Sequence, residues 1–173
     1  MEEDWVERSS ETLVLKTLFF IAVVPGTLVG FIPWLLLMSE VWRGVEVGIG
    51  IGWPLGLLLI SLATAAYLWC VSLFVVRGRG TPALIDPPRR FVFSGLYRYS
   101  RNPMYLAAAM FLFGEALLFG SWTLLVYGLL IVAIFHSLIV VHEEPELVST
   151  FGQSYVSYRR RVPRWLPRLP KSP

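Results

Sequence analysis

Charge, cysteine and histidine are all scarce in this sequence. Its 173 residues hold 15 Lys and Arg, 12 Asp and Glu, two His and one Cys, and 16% of the chain is charged, against roughly 25% in soluble domains. Apart from Lys16 and Glu115, every acid and base falls outside the long apolar stretches. That distribution excludes a soluble enzyme, a disordered tail protein and a nucleic-acid binder, because the net charge of +3 comes from bases set beside apolar segments. With Cys70 alone, no disulfide framework or thiolate cluster can form within the chain; inside an apolar run it reads as a small packing residue. Two histidines, His136 and His142, are too few for a metal site without several carboxylates, so no metal is expected. The start, Met1-Glu-Glu-Asp-Trp-Val-Glu7, is acidic where a signal peptide is basic, and no cleavable leader is expected.

What the chain has in excess is hydrocarbon. It is 55% hydrophobic with a mean hydropathy of +0.63. A membrane-spanning helix needs about 20 apolar residues. Leu13–Met38 supplies one, with kinks expected at Pro25 and Pro33. Val47–Val76 supplies a second, uncharged throughout. Met104–Val141 carries only Glu115 as an acid and is too long for one span. Phe119-Gly-Ser-Trp122 offers a tight turn in its middle, so the run reads as a helical hairpin. The expected fold is therefore all-α: a polytopic membrane helical bundle of about four spans, with a C-terminal hairpin and a cytoplasmic interfacial helix. Residues 1–80 would form an N-terminal pair of spans and residues 81–173 a core.

Lys and Arg gather on the cytoplasmic side of membranes. The stretch from Arg77 to Asn102 carries six arginines against Asp86, and the C-terminal stretch carries Arg159, Arg160, Arg161, Arg164, Arg168 and Lys171. Both are therefore expected in the cytoplasm, as are both termini. In a bacterial cell this is a plasma (inner) membrane protein whose site, if it has one, lies at the cytoplasmic face.

Three features there could carry chemistry. Asn102-Pro103 is a helix start, Asn as N-cap and Pro in the first turn. It presents free N–H groups and the positive dipole end to an anionic group, with Arg101 beside it and Tyr97, Tyr99 and Tyr105 around it. The same residues also suit an interfacial aromatic belt with positive-inside arginines. His142-Glu-Glu-Pro-Glu146 ends the last span with three acids in four residues, and Pro145 opens a further helix. On that helix Leu147, Phe151, Tyr155 and Tyr158 form one stripe facing the membrane. The acids also suit a helix N-terminus balanced by Arg159–Arg161. Glu115, buried in a span, reads either as a group facing a substrate cavity or as a structural contact with His136 as a partner.

Pro87–Tyr105, Pro-Pro-Arg-Arg-Phe-Val-Phe-Ser-Gly-Leu-Tyr-Arg-Tyr-Ser-Arg-Asn-Pro-Met-Tyr, and Glu143–Arg164, beginning Glu-Glu-Pro-Glu-Leu, resemble the membrane-embedded isoprenylcysteine carboxyl methyltransferase family and related phospholipid methyltransferases. The resemblance covers roughly Thr81 to Pro167, about half the chain. It implies methyl transfer from S-adenosylmethionine to a small lipophilic or lipid-anchored acceptor at the cytoplasmic membrane face, with membrane lipid as the surroundings and neither metal nor nucleic acid as partner. Carried over position by position, it implies cofactor contacts from Arg89, Arg90, Phe91, Val92, Tyr97, Asn102, Pro103, Met104, Tyr105 and Glu143. Arg101 and Arg161 would position an anion, and Glu144 or Glu115 would orient the acceptor, so Arg101, Glu144 and Glu115 are the catalytic candidates.

The chain departs from the family in two places. Asn102 stands where the family has His, which removes a titratable base there. Ile139 stands where eukaryotic members carry a substrate-binding arginine, which removes the ion-pair partner of a prenylcysteine carboxylate. A non-catalytic assembly factor or transporter of the same fold, and a sterol-reductase-like reductase with a nicotinamide cofactor, are the competing functions.

Overall fold

The computed structural model describes residues 23–44, 48–73 and 94–167. Among these every regular element is helical, and the chain forms a membrane helical bundle. Three helical runs are long and apolar enough to cross a membrane: Val23–Trp42, Trp53–Leu73 and Trp122–Phe151. The apolar helix Pro103–Phe119 is shorter, at 17 residues about 25 Å long. The expected boundary at residue 80, together with Arg89, Arg90, Phe91 and Val92, lies outside the described residues.

The first run contains a π-helical turn, Thr27–Phe31, followed by α1, Ile32–Trp42. Proline explains the turn. Pro33 has no N–H to donate, and just before it the ladder steps to a five-residue bond from Ile32 N–H to Thr27 O. The last run repeats the device. α4, Trp122–Leu138, leads into a π-helical turn, Ile139–Glu143, and then α5, Glu144–Phe151. Glu144 N–H bonds Ile139 O immediately before Pro145. The helix therefore continues through Pro145, where the sequence suggested that a new one opens. It breaks instead at Gly152, whose φ of 54° and ψ of −131° suit only glycine. α6, Gln153–Arg161, follows.

α2, Trp53–Leu73, and α3, Pro103–Phe119, pack most closely. A β-carbon on Gly56 would stand 2.7 Å from Gly114 O and from Leu118 N, so the two backbones touch and no side chain fits between them. The turn between α3 and α4 falls at Gly120–Ser121, inside the expected Phe119–Trp122. Gly120 takes the left-handed conformation that ends α3. The Ser121 hydroxyl accepts from Leu124 N–H and so starts α4. It also donates to the buried Glu40 carboxylate at 3.0 Å, which fixes the end of α1 to the hairpin. Near this turn Leu37, Ala116 and Leu124 form one apolar cluster. Cys70, Leu73 and Tyr97 form another at the opposite end, so successive helices run up and down and both hairpin ends meet there.

Candidate functional site

The site is built where α3 begins and α4 ends. A short 3-10 turn, Gly95–Arg98, carries the chain to the start of α3. It buries Tyr97 against Cys70 and Leu73, with Met104 packed on the same cluster. Tyr158 of α6 donates its hydroxyl hydrogen to Tyr97 O at 2.7 Å. Burial pushes both phenols up from their ordinary range, so both stay neutral.

Pro103 occupies the first turn of α3 and is buried, as an N-terminal proline can be. Asn102 is at the N-cap position, but its side chain makes no capping bond. It reaches sideways instead, and Asn102 Nδ2 donates to Arg164 O at 3.2 Å. Ser100 Oγ donates to the same carbonyl at 3.1 Å, and Arg101 N–H donates to Pro163 O at 2.9 Å. The segment 162–165 is thereby strapped across the start of α3.

The two acids diverge. Neighbouring residues on a helix point about 100° apart, and the π-helical turn sets both against the site. Glu143 Oε1 accepts the Tyr105 hydroxyl, whose ring lies 4.7 Å from Phe135. Glu144 is buried and takes both guanidinium groups. Arg101 Nη1 donates to Oε1 at 2.7 Å, Arg164 Nε to Oε1 at 2.8 Å and Arg164 Nη2 to Oε2 at 3.0 Å; Arg159 lies at 3.9 Å. The bond to Glu144 is the main cause holding Arg164 above the usual guanidinium range. Arg101 Nε is buried with no hydrogen-bond partner among the described residues.

Of the residues singled out from the sequence, Tyr97, Arg101, Asn102, Pro103, Met104, Tyr105, Glu143 and Glu144 come together at this end. Glu115 does not. It lies ten residues beyond Tyr105 on α3, about 15 Å along the axis, with Oε2 buried and without a hydrogen-bond partner among the described residues. Nor does it meet His136, and hairpin arithmetic explains why. Glu115 is five residues before Gly120, at the depth of the first turns of α4, whereas His136 is 16 residues after it. His136 Nδ1 instead accepts from Trp165 Nε1 at 3.2 Å, and the two rings stack. Arg161 is exposed and bonds its own helix at Ser157 O. Of the expected stripe Leu147, Phe151, Tyr155 and Tyr158, the two tyrosines are buried inside the protein and the other two are half-buried, and Gly152 divides it between α5 and α6.

Sequence reasoning gives Ser100, Tyr158, Arg164 and Trp165 no place in the site. One signal could have found Arg164: three acids in four residues at a helix exit call for several cations, and the nearest unassigned ones follow α6.

Chemically, the arrangement offers the half-buried Glu143 carboxylate, an unsatisfied guanidinium N–H on Arg101, phenol rings and a helix start in one place. These suit a zwitterionic ligand that also carries hydroxyl groups and a flat ring. S-adenosylmethionine is such a molecule, and the residues present fit it.

The phospholipid methyltransferase family profile matches residues 54–154, taking in α2 as well as the hairpin. The chain is 35% identical over 79 residues to the protein-S-isoprenylcysteine O-methyltransferase of Schizosaccharomyces pombe, covering 46% of this chain and 34% of that one. It is 30% identical over 115 residues to the cobalt-zinc-cadmium resistance protein CzcN of Cupriavidus metallidurans, covering 66% of this chain and 49% of that one. The chain thus spans between a third and a half of the length of these curated relatives.

Proposed function

We propose that the chain, which belongs to the phospholipid methyltransferase family, transfers the methyl group of S-adenosylmethionine to a lipophilic or lipid-anchored acceptor at the cytoplasmic face of the inner membrane. One observation carries this reading: both ends of the α3–α4 hairpin close on each other, Tyr105 on Glu143 and Arg101 on Glu144. When bound, the cofactor supplies an electrophilic methyl on a sulfonium.

The chain's own residues would do the rest. Glu143, held by Tyr105, accepts polar hydrogens of the cofactor. Arg101 Nε and the start of α3 at Asn102, Pro103 and Met104 take its carboxylate. Tyr97, together with Arg89, Arg90, Phe91 and Val92, frames the adenosyl part. Glu144 acts through Arg101, holding that guanidinium in place. Glu115, about 15 Å along α3 from Tyr105, belongs with the acceptor rather than the cofactor. Excluding water and aligning nucleophile, methyl and sulfur is the remaining contribution. Both basic segments and both termini are assigned to the cytoplasm.

Calorimetry in detergent tests this with S-adenosylmethionine and its demethylated product. The wild type is expected to bind, and Glu143→Ala and Tyr105→Ala to lose affinity. A wild type that binds neither, or variants that bind equally well, would overturn the reading.

A further inference from the structure

Among the described residues, the end of the bundle opposite the site carries one cation, Arg43. It closes α1 three residues after Glu40, whose carboxylate is fastened to Ser121 at the turn between α3 and α4. The site lies at the far end of α3, about 25 Å away. Bases gather at that far end, as they do on the cytoplasmic side of membranes, so an arginine at this one calls for an anion. The described residues supply none. Glu40 is buried and turned inward, and every ion pair among the described residues is made by Glu144. The guanidinium is nevertheless held in place. Arg43 Nε donates to Ser39 O at 3.1 Å and Nη2 to Ser39 Oγ at 3.4 Å, while Ser39 Oγ donates to Leu36 O at 2.7 Å. That leaves the two N–H groups of Nη1 and one of Nη2 for an outside acceptor. Toward the middle of the membrane, Trp34, Leu35, Met38, Ser39, Trp42 and Arg43 line an open groove of about 710 Å³. From Trp34 to Arg43 is about 13 Å of helix, close to the ~15 Å of hydrocarbon in one leaflet. Trp42 is 88% exposed, and tryptophan settles at headgroup level. Trp42 and Arg43 therefore stand at the interface, and Leu35 and Met38 at the depth of the acyl chains.

We infer that this groove holds a phospholipid of the leaflet opposite the site, its phosphate on Arg43 and one acyl chain along Leu35 and Met38 to Trp34. The planar fork of Arg43 matches two phosphate oxygens, and Ser39 fixes the direction in which the fork points. A free anion does not fill the groove, because one exposed guanidinium holds it weakly in water and the apolar wall stays uncovered. A neutral lipid covers the wall and leaves the charge unmet. The phospholipid satisfies both, and it seats where Glu40 ties α1 to the hairpin. This is a site apart from the acceptor's, at the other end of α3 from Tyr105 and Glu143, and it stands whether or not the methyltransferase reading does.

Photolabelling reads the position of the lipid without any catalysis. A phosphatidylglycerol and a diacylglycerol, each bearing the same diazirine-tagged acyl chain, are irradiated with the full chain in dodecyl maltoside, and the adducts are mapped by peptide mass spectrometry. The phospholipid is expected to label residues 34–43 about tenfold more than the diacylglycerol does. Arg43→Gln should cut that labelling about tenfold, and Arg43→Lys by no more than about threefold, because an ammonium still meets a phosphate. Arg160→Gln, an exposed change at the other end, should leave it unaltered. Excess dioctanoylphosphatidylglycerol should compete, and inorganic phosphate at the same concentration should not. Equal labelling by the two lipids, or an Arg43→Gln variant labelled like the wild type, would overturn the site. An Arg43→Lys variant as poor as Arg43→Gln would reduce Arg43 to the residue that closes α1, and phosphate competing as well as the lipid would make the groove a plain anion site; either result sinks the inference. If Arg43→Gln fails to fold, the comparison of the two lipids and the competition arm decide on the wild type.

Discussion

The Glu144 clasp is the contact whose loss should be felt most widely. Its carboxyl side chain is 7% exposed, that of Arg101 10% and that of Arg164 28%, so the three differ in how much water can compensate. Glu144→Gln keeps the shape and removes the charge, which leaves Arg101 buried against a neutral amide. Breaking a buried ion pair from one side costs about 3–5 kcal/mol. Arg164 is partly hydrated, and its share falls toward the ~0–1 kcal/mol of exposed pairs. Because even the Arg101 partner is not wholly sealed, the lower end applies, about 3 kcal/mol in total. For a chain of this size that is about 6–12 °C in Tm, read by thermal unfolding in detergent. Arg164→Gln alone should cost about 1 kcal/mol, because the strap keeps its bonds through Pro163 O and Arg164 O. A double-mutant cycle should show about 1 kcal/mol of coupling between the two positions. If the single effects simply add, or if Glu144→Gln melts within about 2 °C of the wild type, the clasp does not hold the site together and its role here is refuted.

Four further outcomes follow from particular contacts. Tyr105→Phe removes the hydroxyl bonded to Glu143 and should weaken binding of the demethylated cofactor about tenfold by calorimetry while the protein still melts cooperatively; an unchanged affinity would detach Tyr105 from the site. Gly56→Leu must push α2 off α3 at Gly114 and Leu118 and should destabilise by about 3 kcal/mol or prevent folding, measured as Tm or as the yield of monodisperse protein. Ser121→Ala loses the cap on α4 and the partner of Glu40 together, an expected cost of about 2–4 kcal/mol; a loss no larger than that of an ordinary cap would mean that Glu40 contributes nothing. Glu115→Leu should leave cofactor affinity unchanged and lower transfer to a probe thiol, and a variant with undiminished transfer would remove Glu115 from the acceptor path.

Much of the architecture could be read from composition alone. Apolar runs without charge have to become helices that satisfy their own backbone groups, and a run of 38 residues from Met104 to Val141 has to double back. Glycine followed by serine fixed the turn, because one supplies the left-handed end of α3 and the other caps α4. Asn102-Pro103 marked the start of α3 for the same local reasons. All of these are properties of one residue and its immediate neighbours.

What the tertiary structure decided was which partner each polar group found. Asn102 was legible as a cap, yet it spends its amide on Arg164 O, 62 residues away. His136, a partner for Glu115 in only one of its two readings, instead holds Trp165, because depth along an antiparallel hairpin depends on register as well as on helix number. Pro145 was read as an opening; the π-helical turn before it absorbs the missing N–H and brings Glu143 and Glu144 to bear on different elements. Local sequence sets backbone conformation through sterics and missing donors. Pairing across tens of residues is set by which buried charges the packed helices leave for one another, and that is determined only once the bundle has closed.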